Sequence, residues 1–162
     1  EMILHYTKLN TTRMDRLDRI TKIPEEIASK IKAIDKNYEW IVLTEAWCGD
    51  AAQCLPILNK LKELNKNIEM KLLLRDSNLE VMDRYLTNGG RSIPKMVVID
   101  KTKNEIVGTW GPRPKGATKL LEDYRAKHGV IDDPIKKDLQ VWYNKDKGQG
   151  IMEDILELHN SL

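Results

Sequence analysis

A short apolar run that leads almost directly into a cysteine constrains this chain more than any other feature. Residues 40–44 are a compact β-branched stretch, typical of a central strand, and Cys48 follows closely. A helix is predicted over residues 49–64, with Pro56 kinking it. The cysteine therefore lies where a strand feeds a helix, among backbone N–H groups without intrahelical partners. The positive end of the helix dipole favours the thiolate there, so the sequence predicts a lowered thiol pKa and a reactive cysteine.

The remaining patterns alternate between strand and helix. Further strands are predicted at 70–75 (a buried one), 96–100 and 105–109, the last two forming an antiparallel hairpin around the polar turn 101–104. Helices are predicted at 79–86, 115–127 and 134–143, with a final one through residue 158. The first two strands should be parallel, since a helix connects them.

The first 38 residues are predicted to be helical. Asn10 or Thr11 is a candidate cap for a first helix, and Pro24 suits the first turn of a second. Together the patterns indicate one α/β domain over residues 1–162. Its core spans about 39–128, and helical extensions cover 1–38 and 129–162.

Composition excludes several classes of function. A net charge of +2, with 32% charged residues of alternating sign, gives no electrostatic case for nucleic acid or an anionic membrane. Apolar runs are too short to cross a bilayer, and no signal peptide is visible. Two cysteines are too few for a secreted disulfide framework. We expect a cytoplasmic protein, although a sequence that begins at Glu1 is compatible with a leader already removed.

Metal and cofactor chemistry finds no support in the sequence. The three histidines are scattered, and the two cysteines do not have zinc-ligand spacing. No phosphate-binding glycine loop or dinucleotide fingerprint is present. We therefore predict no metal site and no cofactor.

The segment around the cysteine resembles the active-site turn of the thioredoxin family. That family places Trp-Cys-Gly-Pro-Cys after a central strand, with a kinking proline eight residues beyond the first cysteine. Trp47, Cys48, Gly49 and Pro56 match this register. The rest of the sequence is also similar to an uncharacterised bacterial branch of the family. The resemblance implies a thioredoxin-like three-layer fold, with a central mixed sheet of about four strands and added terminal helices.

Two later segments strengthen the resemblance. Residues 91–94, Arg-Ser-Ile-Pro, resemble the family loop in which a cis Ile-Pro bond faces the nucleophile, and Gly111 matches the groove glycine. The family thus implies a substrate groove lined by Trp47, Gly49, Asp50, Ile93, Pro94 and Gly111. Without the family register, Pro94 reads as an ordinary trans proline at a strand entry.

The departures from the family pattern are equally informative. Ala51 takes the place of the second cysteine, and Asp50 takes the place of the proline. Asp50 suits the first turn of a helix, but as a neighbouring anion it should oppose ionisation of Cys48. Val42 occupies the position at which thioredoxins keep a buried carboxylate, so the family's aid to proton transfer is missing.

The second cysteine cannot bond to the first while the helix is intact. Cys54 is six residues beyond Cys48, which places it about 10 Å away along a helix. A disulfide tolerates at most about 7 Å between Cα atoms. Cys54 is therefore read as core filling, with a resolving role as the alternative.

Several charged and aromatic residues have two readings each. Glu45 is either a substitute for the missing carboxylate or a solvated strand-end charge. Arg91 and Arg113 are either loop charges or partners for a carboxylate or the thiolate. Trp110 is either a ligand wall, together with Trp47, or part of the core.

These features leave three hypotheses for function. The first is a monothiol thiol-disulfide oxidoreductase with Cys48 as nucleophile, acting on protein disulfides or low-molecular-weight thiols. The second is a catalytically inactive binding module on the same fold, with a protein partner or self-association through the terminal helices. The third is a peroxidase-like thiol, with Cys54 resolving an oxidised Cys48 after local unwinding of the helix.

Overall fold

One mixed four-stranded sheet organises the protein. A computed structural model describes residues 1–162. The strands are β1 (Tyr38–Thr44), β2 (Ile68–Leu74), β3 (Lys95–Asp100) and β4 (Glu105–Trp110), in the sheet order β2-β1-β3-β4. Strand β1 pairs in parallel with β2 and antiparallel with β3, and β3 pairs antiparallel with β4. The predicted parallel pair and hairpin are both confirmed.

Seven helices surround this sheet. They are α1 (Met2–Ile20), α2 (Glu25–Lys32), α3 (Gly49–Glu63), α4 (Leu79–Met82), α5 (Lys115–His128), α6 (Asp133–Asp146) and α7 (Gln149–Asn160). None of them is long and apolar enough to cross a membrane. The predicted α/β class, the mixed sheet of about four strands and the helices added at both ends are confirmed.

The two faces of β1 belong to two separate cores. Tyr38, Trp40 and Val42 alternate onto one face and join the main hydrophobic cluster, which α3, α5, α6 and α7 complete. Leu43 points to the other face and belongs to a smaller cluster beneath α4. That smaller cluster also contains Cys48. The carboxyl end of the central strand thus delivers the cysteine to a site enclosed by apolar side chains.

Three local predictions are wrong. The first helix already begins at Met2, so Asn10 lies within it, buried, and caps nothing. Strand β2 is at the edge of the sheet, and Leu72 and Leu74 are 55% and 52% exposed. The helix predicted at 79–86 is only the four-residue α4. In each case the position of the segment in the folded protein outweighs the local sequence pattern on which the prediction was based.

Candidate functional site

Cys48 caps the N-terminus of α3. Its backbone is extended (φ −77°, ψ 118°), and its Sγ accepts a hydrogen bond from the Ala51 N–H at 3.4 Å. The thiol itself donates to the Ile93 carbonyl oxygen at 3.5 Å. The sulfur is therefore held between the first turn of α3 and the loop that precedes β3.

Burial dominates the electrostatics of this thiol. Cys48 is only 8% exposed, and its removal from water raises its pKa above the ordinary value. The Ala51 N–H and the Arg113 guanidinium lower this pKa, whereas the Asp50 carboxylate raises it further. The sequence predicts a lowered pKa because it shows the helix terminus but not the desolvation. In the folded protein desolvation outweighs the helix N-terminus.

The loop opposite the thiol places Ile93, Pro94 and Gly111 together. The Ile93–Pro94 peptide bond is cis. Gly111 has φ +113°, and a Cβ on it would lie 2.3 Å from the Pro94 carbonyl oxygen. Only glycine permits so close an approach between the end of β4 and this loop. Three of the predicted groove residues, Ile93, Pro94 and Gly111, thus lie together on the side of the thiol that faces this loop.

Asp50 is the centre of a buried polar network. Its carboxylate accepts hydrogen bonds from Arg113 Nε at 3.1 Å and from the Tyr143 hydroxyl at 2.6 Å. Arg113 Nη2 lies 2.9 Å from the same carboxylate, completing a two-pronged ion pair. Arg113 is therefore the partner of a carboxylate and not an unpaired loop charge.

Glu45 and Arg91 form their hydrogen bonds away from the thiol. Glu45 Oε1 accepts from the Asp76 backbone N–H at 2.8 Å, which fixes the loop after β2. Arg91 forms two hydrogen bonds with Asp83, at 2.7 and 3.0 Å. Neither charge is hydrogen-bonded at the thiol.

The two tryptophans also differ in environment. Trp47 is half-buried, packs against the small cluster around Cys48, and has the Arg75 guanidinium 5.1 Å from its ring centre. Trp110 is buried in the main core and donates its indole N–H to Asp154 at 3.0 Å. Only Trp47 remains available as a wall beside the thiol.

Cys54 is fully buried in the main core. Both cysteines are free thiols, and the Cys54 Sγ lies 3.9 Å from the Tyr143 hydroxyl oxygen. Val42 is likewise fully buried in the main core, so this position holds an apolar side chain and no carboxylate. No His, Cys, Asp or Glu side chains cluster in a way that could hold a metal ion.

Four site residues escape prediction from the sequence. Tyr143 and Gln140 come from α6, and Gln140 pairs with Gln53 of α3 at 2.9 Å. From α1, Asn10 donates to the Ala46 carbonyl at 3.0 Å, and Arg13 donates to Asn10 at 3.1 Å. A sequence signal exists for Tyr143 alone, because a carboxylate in the first turn of a buried helix, here Asp50, requires a partner.

Two surface cavities adjoin the site through Arg113. One, of about 440 Å³, lies between the end of β4 and α7, and the other, of about 280 Å³, lies between the Pro94 loop and α5. Cys48 lines neither of them. The thiol is thus separate from both cavities and is covered by its contact with the Ile93 carbonyl.

Comparison with known proteins bears on the fold and the family. No curated protein matches the chain. A Pseudomonas aeruginosa crystal structure, PA1234, a protein of unknown function, is similar over 94% of this chain and 84% of that one (TM-score 0.73, 18% identity). An HIV epitope-scaffold of the 4E10 series is similar over 99% of this chain and 90% of that one (TM-score 0.72, 17% identity). At these identities the likeness shows the fold alone. Residues 1–125 match the family model Thioredoxin_9, described as thioredoxin, and the chain therefore belongs to the thioredoxin family.

Proposed function

We propose that this protein is a monothiol thiol-disulfide oxidoreductase with Cys48 as its nucleophile. The observation that carries the proposal is the position of the Cys48 Sγ. It lies at the N-terminus of α3, and 3.5 Å separates it from the Ile93 carbonyl oxygen. A thiol so placed has helix N–H groups to stabilise its anion and an adjacent backbone segment against which a substrate can lie.

The reaction proceeds by two exchanges. The Cys48 thiolate attacks one sulfur of a mixed disulfide R–S–S–R′, forming Cys48–S–S–R and releasing R′–S⁻, which takes up a proton. A second thiol R–SH, as its thiolate, then attacks the Cys48-bound disulfide, releasing the Cys48 thiolate and R–S–S–R. The net change is R–S–S–R′ plus R–SH to R–S–S–R plus R′–SH.

The resolving thiol has to come from outside the chain. Ala51 has no sulfur, and Cys54 is fully buried on the core side of α3. We therefore infer that the substrates are protein disulfides or low-molecular-weight thiols in mixed disulfides.

The raised pKa of Cys48 gives this proposal a specific pH dependence. Burial keeps most of the thiol protonated near neutrality, so turnover should rise steeply with pH as the thiolate fraction increases. The test is turnover of a glutathione mixed disulfide, with glutathione as second thiol, measured at a series of pH values from neutral upward. Cys48→Ser should abolish turnover and the covalent adduct seen by mass spectrometry. Cys54→Ala should retain both, and activity in Cys48→Ser would remove Cys48 from the mechanism.

A binding module is the second candidate, and the burial of Cys48 favours it. A thiol that is 8% exposed, in a chain with the apolar Val42 where a carboxylate would be expected, is also what a non-catalytic groove would contain. The two candidates differ in one measurement. Absence of turnover with several disulfides supports the binding module, whereas turnover that follows the pH profile of Cys48 alkylation supports exchange.

A further inference from the structure

The Asp50 carboxylate is fixed by groups from two distant parts of the chain. Arg113, between β4 and α5, grips it with Nε and Nη2, and Tyr143 of α6 donates to its Oδ1 at 2.6 Å. Asp50 itself lies in the first turn of α3, two residues beyond Cys48. The pair is partly shielded from solvent, since the Asp50 side chain is 11% exposed and that of Arg113 is 29% exposed.

We propose that the Asp50–Arg113 ion pair controls the ionisation of Cys48, and that α6 belongs to the site because Tyr143 holds this pair in position. Asp50, Arg113 and Tyr143 are thus positioning residues that act through Cys48. The inference rests on the proposed function only in taking Cys48 as the reactive group.

The argument is electrostatic. An anion two residues from the thiol disfavours the thiolate, and a cation bound to that anion cancels much of its effect. Because both side chains are partly shielded from solvent, neither charge is fully screened. Removal of one partner therefore exposes Cys48 to the full charge of the other.

Tyr143 remains a hydrogen-bond donor throughout the accessible pH range. Burial, with the nearby Cys54 and Asp50, raises its pKa far above the usual range for tyrosine. Its hydroxyl therefore always draws negative charge from the Asp50 carboxylate and fixes its orientation.

The other charged groups near the thiol do not replace this pair. Arg13 of α1 lies beside Gly49, its Nη1 being 3.7 Å from where a Cβ on Gly49 would stand, and it donates to Asn10. Cys54, further along α3, remains a protonated thiol because burial raises its pKa well above the ordinary value.

Two further arginines, Arg75 and Arg91, already have carboxylate partners. Arg75 is paired with Asp76, and Arg91 is paired with Asp83.

The test is the rate of Cys48 alkylation by iodoacetamide as a function of pH, which needs no catalytic turnover. Cys54→Ala serves as the background, so that only Cys48 reacts. Asp50→Asn should lower the midpoint and raise the rate at pH 7 about tenfold, because Arg113 then acts alone. Arg113→Met should shift the midpoint upward. The double variant should return close to the starting profile, and it also covers the case in which Arg113→Met alone folds poorly.

Two matched controls separate this role from general effects. Asp123→Asn removes an equal charge from an exposed ion pair with Lys119 and should leave the profile unchanged. Tyr143→Phe should raise the midpoint and slow alkylation at pH 7 by about two- to threefold. Tyr124→Phe removes a comparable hydrogen bond, from Tyr124 to Asp132 at 2.7 Å, and should change nothing.

The outcomes distinguish this inference from the proposed function. If Asp50→Asn keeps the starting midpoint, or if the double variant shifts the midpoint as far as Asp50→Asn alone, the ion pair does not control Cys48 and the inference is wrong. If the midpoints shift as expected but no disulfide is turned over, the inference holds and the exchange reaction fails.

Discussion

The indole N–H of Trp40 donates to His159 Nε2 at 3.1 Å, joining the central strand to the last helix. His159 also stacks edge-on against Tyr38, with ring centres 4.9 Å apart. An imidazole that accepts at Nε2 is neutral and carries its proton on Nδ1, and this buried Nδ1 has no hydrogen-bond partner. The structure therefore requires His159 to stay uncharged.

This requirement predicts acid sensitivity. Burial lowers the pKa of His159 from 6.5 to about 4, so the unfolded chain takes up a proton first as the pH falls. The free energy of unfolding should decrease between pH 6.5 and 4 by about 3 kcal/mol from this group, and level off for it below pH 4. Urea denaturation at several pH values measures the slope.

His159→Phe provides the comparison for this slope. Phe keeps the ring packing but cannot titrate, so the variant should lose most of the pH dependence in this window. His128→Phe, at the end of α5, should keep it. An unchanged slope in His159→Phe would show that other groups cause the acid sensitivity.

The sequence predicts this fold well where local patterns coincide with tertiary placement. Strand β1 and helix α3 are identified because β-branched residues, the cysteine and Pro56 all point to the same arrangement. The edge position of β2 is missed, since Leu72 and Leu74 look as buried in sequence as Val42 does.

The interior of the site is harder to predict. Asp50 and Tyr143 are 93 residues apart, and nothing local to Tyr143 marks it as a hydrogen-bond donor to a carboxylate near a thiol. Asn10 carries a local capping signal, yet the structure uses its side chain for the Ala46 carbonyl. Desolvation of Cys48 is likewise a property of the assembled core, so the direction of its pKa shift cannot be derived from its place at a helix terminus.

Gly111→Ala should be strongly destabilising. Its φ of +113° is unfavourable for an L residue, and the new Cβ would meet the Pro94 carbonyl oxygen at 2.3 Å, where only backbone can yield. We expect a loss of about 3 kcal/mol or more in the free energy of unfolding. Gly89→Ala is the matched control, because its φ is +77° with open space around it, and it should cost about 1 kcal/mol. Equal losses in urea denaturation would contradict the close approach.

Asn10→Ala tests the attachment of α1 to the active-site turn. The buried Asn10 donates to the Ala46 carbonyl and accepts from Arg13, so its removal leaves both groups without this partner. We expect the free energy of unfolding to fall by about 1–2 kcal/mol. Asn59→Ala removes only an exposed hydrogen bond to Glu63 and should change stability by less than about 0.5 kcal/mol. Similar losses in both variants would show that the Asn10 contacts contribute little.

Oxidation with mild peroxide tests the remaining hypothesis, in which Cys54 resolves an oxidised Cys48. Cys54 is fully buried, and burial raises its pKa well above the ordinary value, so it supplies almost no thiolate for attack. With α3 intact the two cysteines are also too far apart to bond, because six residues along a helix separate their Cα atoms by about 10 Å. We therefore expect mass spectrometry to find oxygen added at Cys48 and no internal disulfide. A disulfide between Cys48 and Cys54, absent in Cys54→Ala, would instead require the first turns of α3 to unwind and would favour the peroxidase-like reaction over monothiol exchange.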